Sequence, residues 1–229
     1  DAELVIFPEM TLTGFSMNTK LIGEKQNQSS TLSFLSNLAE QNNLSIAFGV
    51  VFEKEYKATN NLIVVNNEGR LLSAYAKIHP FSYSGENNYY MGGDELVTCR
   101  ISDATIGLSI CYDLRFPEMF QALSKNCNLI ITIASWPERR IKHWTALLQA
   151  RAIENQLFIV GVNRTGTDGN NLSYARSSIV FDPNGEKMEP FQSFHQMDIF
   201  DIKLEDVESF RSSFPVKQDR RPDLYKAHL

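Results

Sequence analysis

The chain has 229 residues, of which 43% are hydrophobic and 21% charged, with a formal net charge of −5. That length suits a single large domain over residues 1–229 that buries its own core without staples. The acidic balance argues against nucleic acid as a partner, the longest apolar runs are too short to span a membrane, and no signal peptide opens the chain. The three cysteines, Cys99, Cys111 and Cys127, are an odd set without metal-ligand spacing. They read as free thiols in a reducing compartment, so a cytoplasmic protein with no metal is expected.

Residues 4–7 are a short apolar run that fits a strand buried on both faces, and the run ends at Pro8-Glu9. A chain that opens on a core-type strand, with no initiator Met, is expected to lack its first elements. Residues 11–28 are polar and read as loop with one short helical piece. Leu32, Leu35 and Ala39 predict a helix through about Glu40, and residues 44–52 predict a strand. Residues 61–65 and 70–76, joined by the turn Asn66-Asn-Glu-Gly69, predict a hairpin whose second arm runs into Lys77. Residues 82–94 read as an ordered glycine-bearing loop, and residues 96–101 as a strand.

Ile106, Leu108 and Ile110 alternate with small Gly107 and Ser109, which predicts another strand. Pro117 suits a first helical position, and Phe116, Met119, Phe120 and Leu123 share one helical face. Cys111 therefore falls in a sharp strand-to-helix turn. Such a turn lifts a side chain above the sheet edge and aims free backbone N–H groups at what it attacks. The alternative is a merely buried thiol. Further along, residues 128–134 and 157–162 predict strands around a helix at 142–155, marked by Trp144, Leu147, Leu148 and Ala152. Residues 178–181 with the turn Asp182-Pro-Asn-Gly185 begin a second hairpin, residues 195–202 form a last strand, and residues 214–229 are a basic, irregular tail. Hairpins mixed with crossovers exclude a purely parallel doubly wound sheet. They predict an α/β fold of two mixed sheets packed together with helices outside.

Three polar residues end core-type strands: Glu9, Lys77 and Cys111. Singly, Glu9 reads as a solvated loop carboxylate and Lys77 as a charge that blunts a sheet edge. Gathered at one rim, a carboxylate, an ammonium and a thiol would make a nucleophile site, with the lysine favouring thiolate and the glutamate accepting the proton.

Phe7-Pro-Glu9-Met with Thr13-Gly-Phe15, Tyr75-Ala-Lys77-Ile-His-Pro-Phe81 and Ile110-Cys111-Tyr-Asp-Leu-Arg-Phe-Pro-Glu118 stand in that order. With them the chain resembles the nitrilase superfamily of carbon–nitrogen hydrolases over nearly all its length. Ala134-Ser-Trp-Pro137, Gln149-Ala-Arg-Ala-Ile-Glu-Asn155 and Asn163-Arg-Thr-Gly match as well. The branch it looks most like is the omega-amidases, which hydrolyse the terminal amide of short dicarboxylic acid monoamides such as 2-oxoglutaramate or succinamate. The resemblance implies a four-layer α-β-β-α sandwich, usually paired across an outer helical face, and so a homodimer. It implies Cys111 as nucleophile, Glu9 as general base, Lys77 as stabiliser of the tetrahedral intermediate and Glu86 as the second glutamate. The backbone N–H of Tyr112 would complete the oxyanion site, with no metal or organic cofactor. The departures are Pro80 in place of leucine and Arg176 in place of glycine, and the family's opening strand and helix are expected to be missing.

A substrate of this class carries a carboxylate far from its scissile amide, which requires a cation in the pocket. Arg139 and Arg140 follow a strand that should reach the same rim, and arginine grips both carboxylate oxygens. Phe15, Phe81 and Trp136 are expected as apolar walls. The competing readings are a Cys–His acyl-transfer site using His79, another small-amide or N-carbamoyl substrate within the family, and a truncated chain without catalysis.

Overall fold

The computed structural model describes residues 2–195 and 197–228. In chain order the elements begin with β1 (Leu4–Ile6), α1 (Thr19–Ile22), α2 (Ser30–Asn42), β2 (Ser45–Glu53), β3 (Ala58–Val65), β4 (Leu71–Ala76) and α3 (Glu86–Tyr89). The middle of the chain is β5 (Thr98–Ile101), β6 (Ala104–Ile110), α4 (Pro117–Leu123), β7 (Leu129–Ala134), α5 (Ile141–Asn155) and β8 (Phe158–Asn163). The two-residue strands β9 (Gly166–Thr167) and β10 (Ser173–Tyr174), then β11 (Ile179–Phe181), β12 (Gln192–Phe194), β13 (Met197–Ile199), α6 (Glu205–Ser213) and α7 (Pro222–Lys226) complete it.

Two mixed sheets result. One has the order β1-β2-β3-β4, with β1 parallel to β2 and the rest antiparallel. The other has the order β11-β8-β7-β6-β5, with a parallel centre of β6, β7 and β8. Ala47, Leu62, Val64 and Tyr75 of the first sheet share one buried cluster with Ile106, Leu108 and Ile110 of the second. The other face of the first sheet (Ile46, Phe48, Val50, Phe52, Ile63, Val65) packs on Leu35 and Ala39 of α2. On the far side, Trp144 and Leu148 of α5 press on β8, where a Cβ at Gly161 would meet Leu148 at 2.4 Å. The layers are therefore α-β-β-α, as the motifs imply. No described helix is long and apolar enough to cross a membrane.

Several local expectations are corrected. The β1 strand is only half-buried, because it is the edge of its sheet, not a central strand. The loop over residues 82–94 contains a 3₁₀ turn (Ser82–Ser84) and α3, a helix too short to show a periodic pattern. The last strand is a hairpin of β12 and β13, α6 occupies a stretch for which no element was expected, and α7 lies in the tail read as irregular. Both helices are largely exposed, with Val207 the one buried residue of α6, so neither carries a clear apolar stripe. Asp1, Gln196 and Leu229, at the opening, in the expected last strand and in the tail, lie outside the described residues.

Candidate active site

The parallel register sets the rim. Ile110 of β6 pairs with Ile133 of β7, and Ala134 with Asn163 of β8, so Cys111, Ser135 and Arg164 leave the carboxyl ends of neighbouring strands. Ligands bind beyond such ends in open α/β sheets. In the facing sheet the Lys77 N–H donates to the Asn60 carbonyl at 2.8 Å, extending the β3–β4 ladder to the lysine. Glu9 follows β1 after Phe7 and Pro8 and opens the turn that leaves the strand.

These strand ends bring Glu9, Lys77 and Glu86 into one cluster, each about 1% exposed or less. Lys77 Nζ lies 2.8 and 3.0 Å from the two Glu86 carboxylate oxygens and 3.3 Å from Glu9 Oε1. Glu9 is neither solvated nor free. Its Oε1 accepts from Asn60 Nδ2 at 2.7 Å and its Oε2 from the Ser135 N–H at 2.8 Å. Glu86 opens α3 and accepts from the Phe81 N–H and, at 3.3 Å, from Asn60 Nδ2. Burial alone would push the Lys77 ammonium down, but the two carboxylates beside it reverse that and hold it charged, above its ordinary value.

Cys111 stands next to this cluster at φ +49°, left-handed backbone, and opens the 3₁₀ turn Cys111–Arg115 that leads into α4. Burial and the Glu9 carboxylate push the thiol well up, Lys77 opposes them and Glu86 adds to them. Burial thus outweighs the ammonium, and the surroundings favour the thiol over the thiolate. The Tyr112 N–H lies in the first turn after the strand, where helical N–H groups lack internal partners.

Asp113, fully buried, ties this elbow to the lysine loop. It accepts from the Ile110 N–H at 3.0 Å, the Tyr75 hydroxyl at 2.6 Å and the His79 N–H at 3.0 Å. His79 Nδ1 lies 2.8 Å from the same carboxylate, and its ring stacks on Phe116 at 3.7 Å. A carboxylate partner fixes the proton on Nδ1. His79 is thus engaged behind the elbow and is absent from the pocket lining, unlike Lys77.

A pocket of about 220 Å³ opens over Cys111. Its walls include Phe15, Lys77, Phe81, Tyr112, Trp136, Arg139 and Arg140, so every residue expected to touch substrate lines it. Glu9 and Glu86 sit behind Lys77. Sequence reasoning missed Arg115, Tyr83, Ser84, Ser135, Leu172 and Tyr174 in the lining, and Asn60 behind it. Arg115 stands inside the motif around Cys111. Asn60 lay one residue before the predicted hairpin arm, where an asparagine in an apolar strand was the available signal. Arg115 lies over the Trp136 ring at 5.0 Å, and Arg140 over the Phe81 ring at 5.3 Å. Among the described residues no carboxylate pairs with Arg115, Arg139 or Arg140. Burial, then the charges of Arg139 and Arg115, pull the Arg140 guanidinium below its ordinary value. The pocket lining therefore carries positive charge with no carboxylate paired to it.

Residues 1–212 match the family model for carbon-nitrogen hydrolases. The chain belongs to the carbon–nitrogen hydrolase family. It is similar to the omega-amidase YafV of Yersinia enterocolitica, 33% identical over 95% of this chain and 84% of that one. It is also similar to a 2-oxoglutaramate amidase of Bacillus subtilis, 31% identical over 98% of this chain and 87% of the other. Among solved structures it is similar to XC1258 of Xanthomonas campestris, a CN-hydrolase superfamily protein with an arsenic adduct in its active site. That match has a TM-score of 0.85 at 30% identity and covers 96% of this chain and 84% of the other. As a carbon–nitrogen hydrolase of amidase type, the chain is an enzyme that cleaves amides.

Proposed function

We propose that this carbon–nitrogen hydrolase cleaves the terminal amide of a short dicarboxylic acid monoamide, such as 2-oxoglutaramate or succinamate, through a thioester on Cys111. The observation that carries the reading is one pocket lined by two unlike sets of groups. The Cys111 thiol and the buried Lys77 ammonium, backed by the Glu9 and Glu86 carboxylates, share its lining with three guanidiniums that among the described residues have no carboxylate partner. A molecule with an amide at one end and a carboxylate at the other complements both.

The chemistry follows from proton positions. Cys111 starts as a thiol, and Glu9 takes its proton as sulfur adds to the amide carbon. With one Lys77 ammonium proton shared between the two Glu86 oxygens and one directed at Glu9, two of the three are engaged. The third is left for the developing oxyanion, together with the Tyr112 N–H. Glu9 returns the proton to nitrogen, the C–N bond breaks and ammonia leaves. Water activated by Glu9 then opens the thioester and frees the acid and the thiol. Glu86 keeps Lys77 in place through both halves.

Ammonia release across a panel of omega-monoamides, with and without single alanine changes at Arg115, Arg139 and Arg140, tests this reading. A charge-assisted contact is worth roughly 1.5–3 kcal/mol, or about 10–200-fold in binding. At least one change is expected to raise KM for succinamate by about that factor and to leave butyramide nearly untouched. If none of the three separates the two substrates, the substrate class is wrong.

A further inference from the structure

In a closed protein interior nearly every buried polar atom has a partner, and an exception calls for an explanation. Three such side-chain atoms lack one among the described residues: Asn60 Oδ1, Ser135 Oγ and Gln156 Oε1. Of these residues only Ser135 lines the pocket over Cys111. The residue is 7% exposed, and its backbone N–H is the donor that holds Glu9 Oε2. Its hydroxyl therefore stands beside the proposed base, unpaired, at the place where the scissile group would lie.

A primary carboxamide explains the vacancy by arithmetic of donors. Its carbonyl oxygen faces Lys77 and the Tyr112 N–H, both of which only donate. Its nitrogen carries two N–H groups, and both need acceptors once water is excluded. Glu9 supplies one. Asn60 Oδ1 also lacks a partner but belongs to a residue outside the pocket lining, so the acceptors left beside the base on lining residues are the thiol, a weak one, and the Ser135 hydroxyl, which has two lone pairs. A serine hydroxyl reaches a new direction by turning about one bond between staggered positions.

We propose that the Ser135 hydroxyl accepts the second N–H of the scissile carboxamide and makes the site prefer a primary amide over the corresponding ester. This rests on the amidase reading above and adds a specificity determinant to it. An ester offers no N–H at that place, and its alkoxy oxygen is a poor acceptor. In both substrates the C–S bond forms, the thiol proton passes through Glu9 to the leaving atom, and ammonia or methanol departs. Both leave the same acyl group on Cys111, so the later hydrolysis is common to them. A contribution of Ser135 specific to the amide must appear in kcat/KM, which reports the steps up to that acyl-enzyme.

The experiment compares succinamate with monomethyl succinate on the wild-type chain, Ser135→Ala and Ser135→Thr. Ser135→Ala is expected to lower the amide-to-ester ratio of kcat/KM about tenfold, the size of one hydrogen bond. It should do so without loss of thermal stability, because the hydroxyl has no protein partner to abandon. Ser135→Thr, which keeps the hydroxyl, is expected to retain the ratio even if crowding slows both substrates. An unchanged ratio in Ser135→Ala, or an equal loss of ratio in both variants, overturns the assignment while the amidase reading stands. A wild-type chain that releases ammonia from no omega-amide overturns the amidase reading and this assignment with it.

Discussion

Glu9 and His79 are each within a short reach of a motif residue, yet their surroundings give them different work. Glu9 holds one carboxylate edge toward Lys77 and Asn60 and the other toward the Ser135 N–H, beside the thiol. His79 spends Nδ1 on Asp113 and its ring face on Phe116. Loss of a general base costs about 10²–10⁴-fold in rate. Glu9→Gln is accordingly expected to lose far more turnover than His79→Ala; steady-state rates for the two variants check it, and the opposite order would favour a Cys–His site. The same surroundings fix the proton on sulfur. With the Cys111 thiol held up by burial and by Glu9, it stays protonated below its raised value and ionises only as pH climbs past the ordinary thiol range of about 8.5. The ultraviolet thiolate band, taken as wild type minus Cys111→Ala, should be absent at neutral pH and grow only in alkali. A full band at neutral pH would instead mean a resting thiolate–ammonium pair.

At the scale of elements, the site depends on how closely strands approach. A Cβ at Gly49 of β2 would lie 2.2 Å from the Met10 nitrogen and 3.0 Å from Glu9 Cα. The β2 strand can carry no side chain there without displacing the backbone that presents the base. Gly49→Ala is expected to cost about 1–3 kcal/mol of stability and to lower kcat more than it raises KM, as denaturant unfolding and kinetics would show. Sequence patterning made the central strands legible, since β6, β7 and β8 are apolar runs bounded by turn residues. It also placed Cys111 in its elbow, because Pro117 and the Phe116–Leu123 spacing mark the helix start. What it could not reveal was compensation across distance. Asn60 bridging two carboxylates, or Asp113 gathering Tyr75 and His79, joins residues far apart in the chain whose polar character alone says nothing of their partners. The short or exposed pieces, α3, α6 and α7, escaped because burial of an apolar face is what writes a period into a sequence.

The molecule as a whole is two sheets sharing one core, with the pocket where their strand ends meet and α4 and α5 on the outside of the second sheet. We propose that the chain self-associates as a dimer through these outer helices. The α5 helix leaves Ile153 about half exposed (52%), away from the face that holds Trp144 and Leu148. Light scattering at micromolar concentration is expected to give twice the chain mass, and a monomer there would contradict the proposal.

The left-handed backbone at Cys111 has a consequence for inheritance. A residue other than glycine in that conformation costs roughly 1–2 kcal/mol, so chemistry alone keeps a cysteine at this codon. Cys111→Gly is expected to be inert and yet to unfold at higher denaturant than the equally inert Cys111→Ala, by an amount on the order of 1 kcal/mol. Cysteine and glycine codons differ by a single base. In a lineage released from selection for the reaction, the elbow is the place where a silenced enzyme would gain durability by the shortest mutational step.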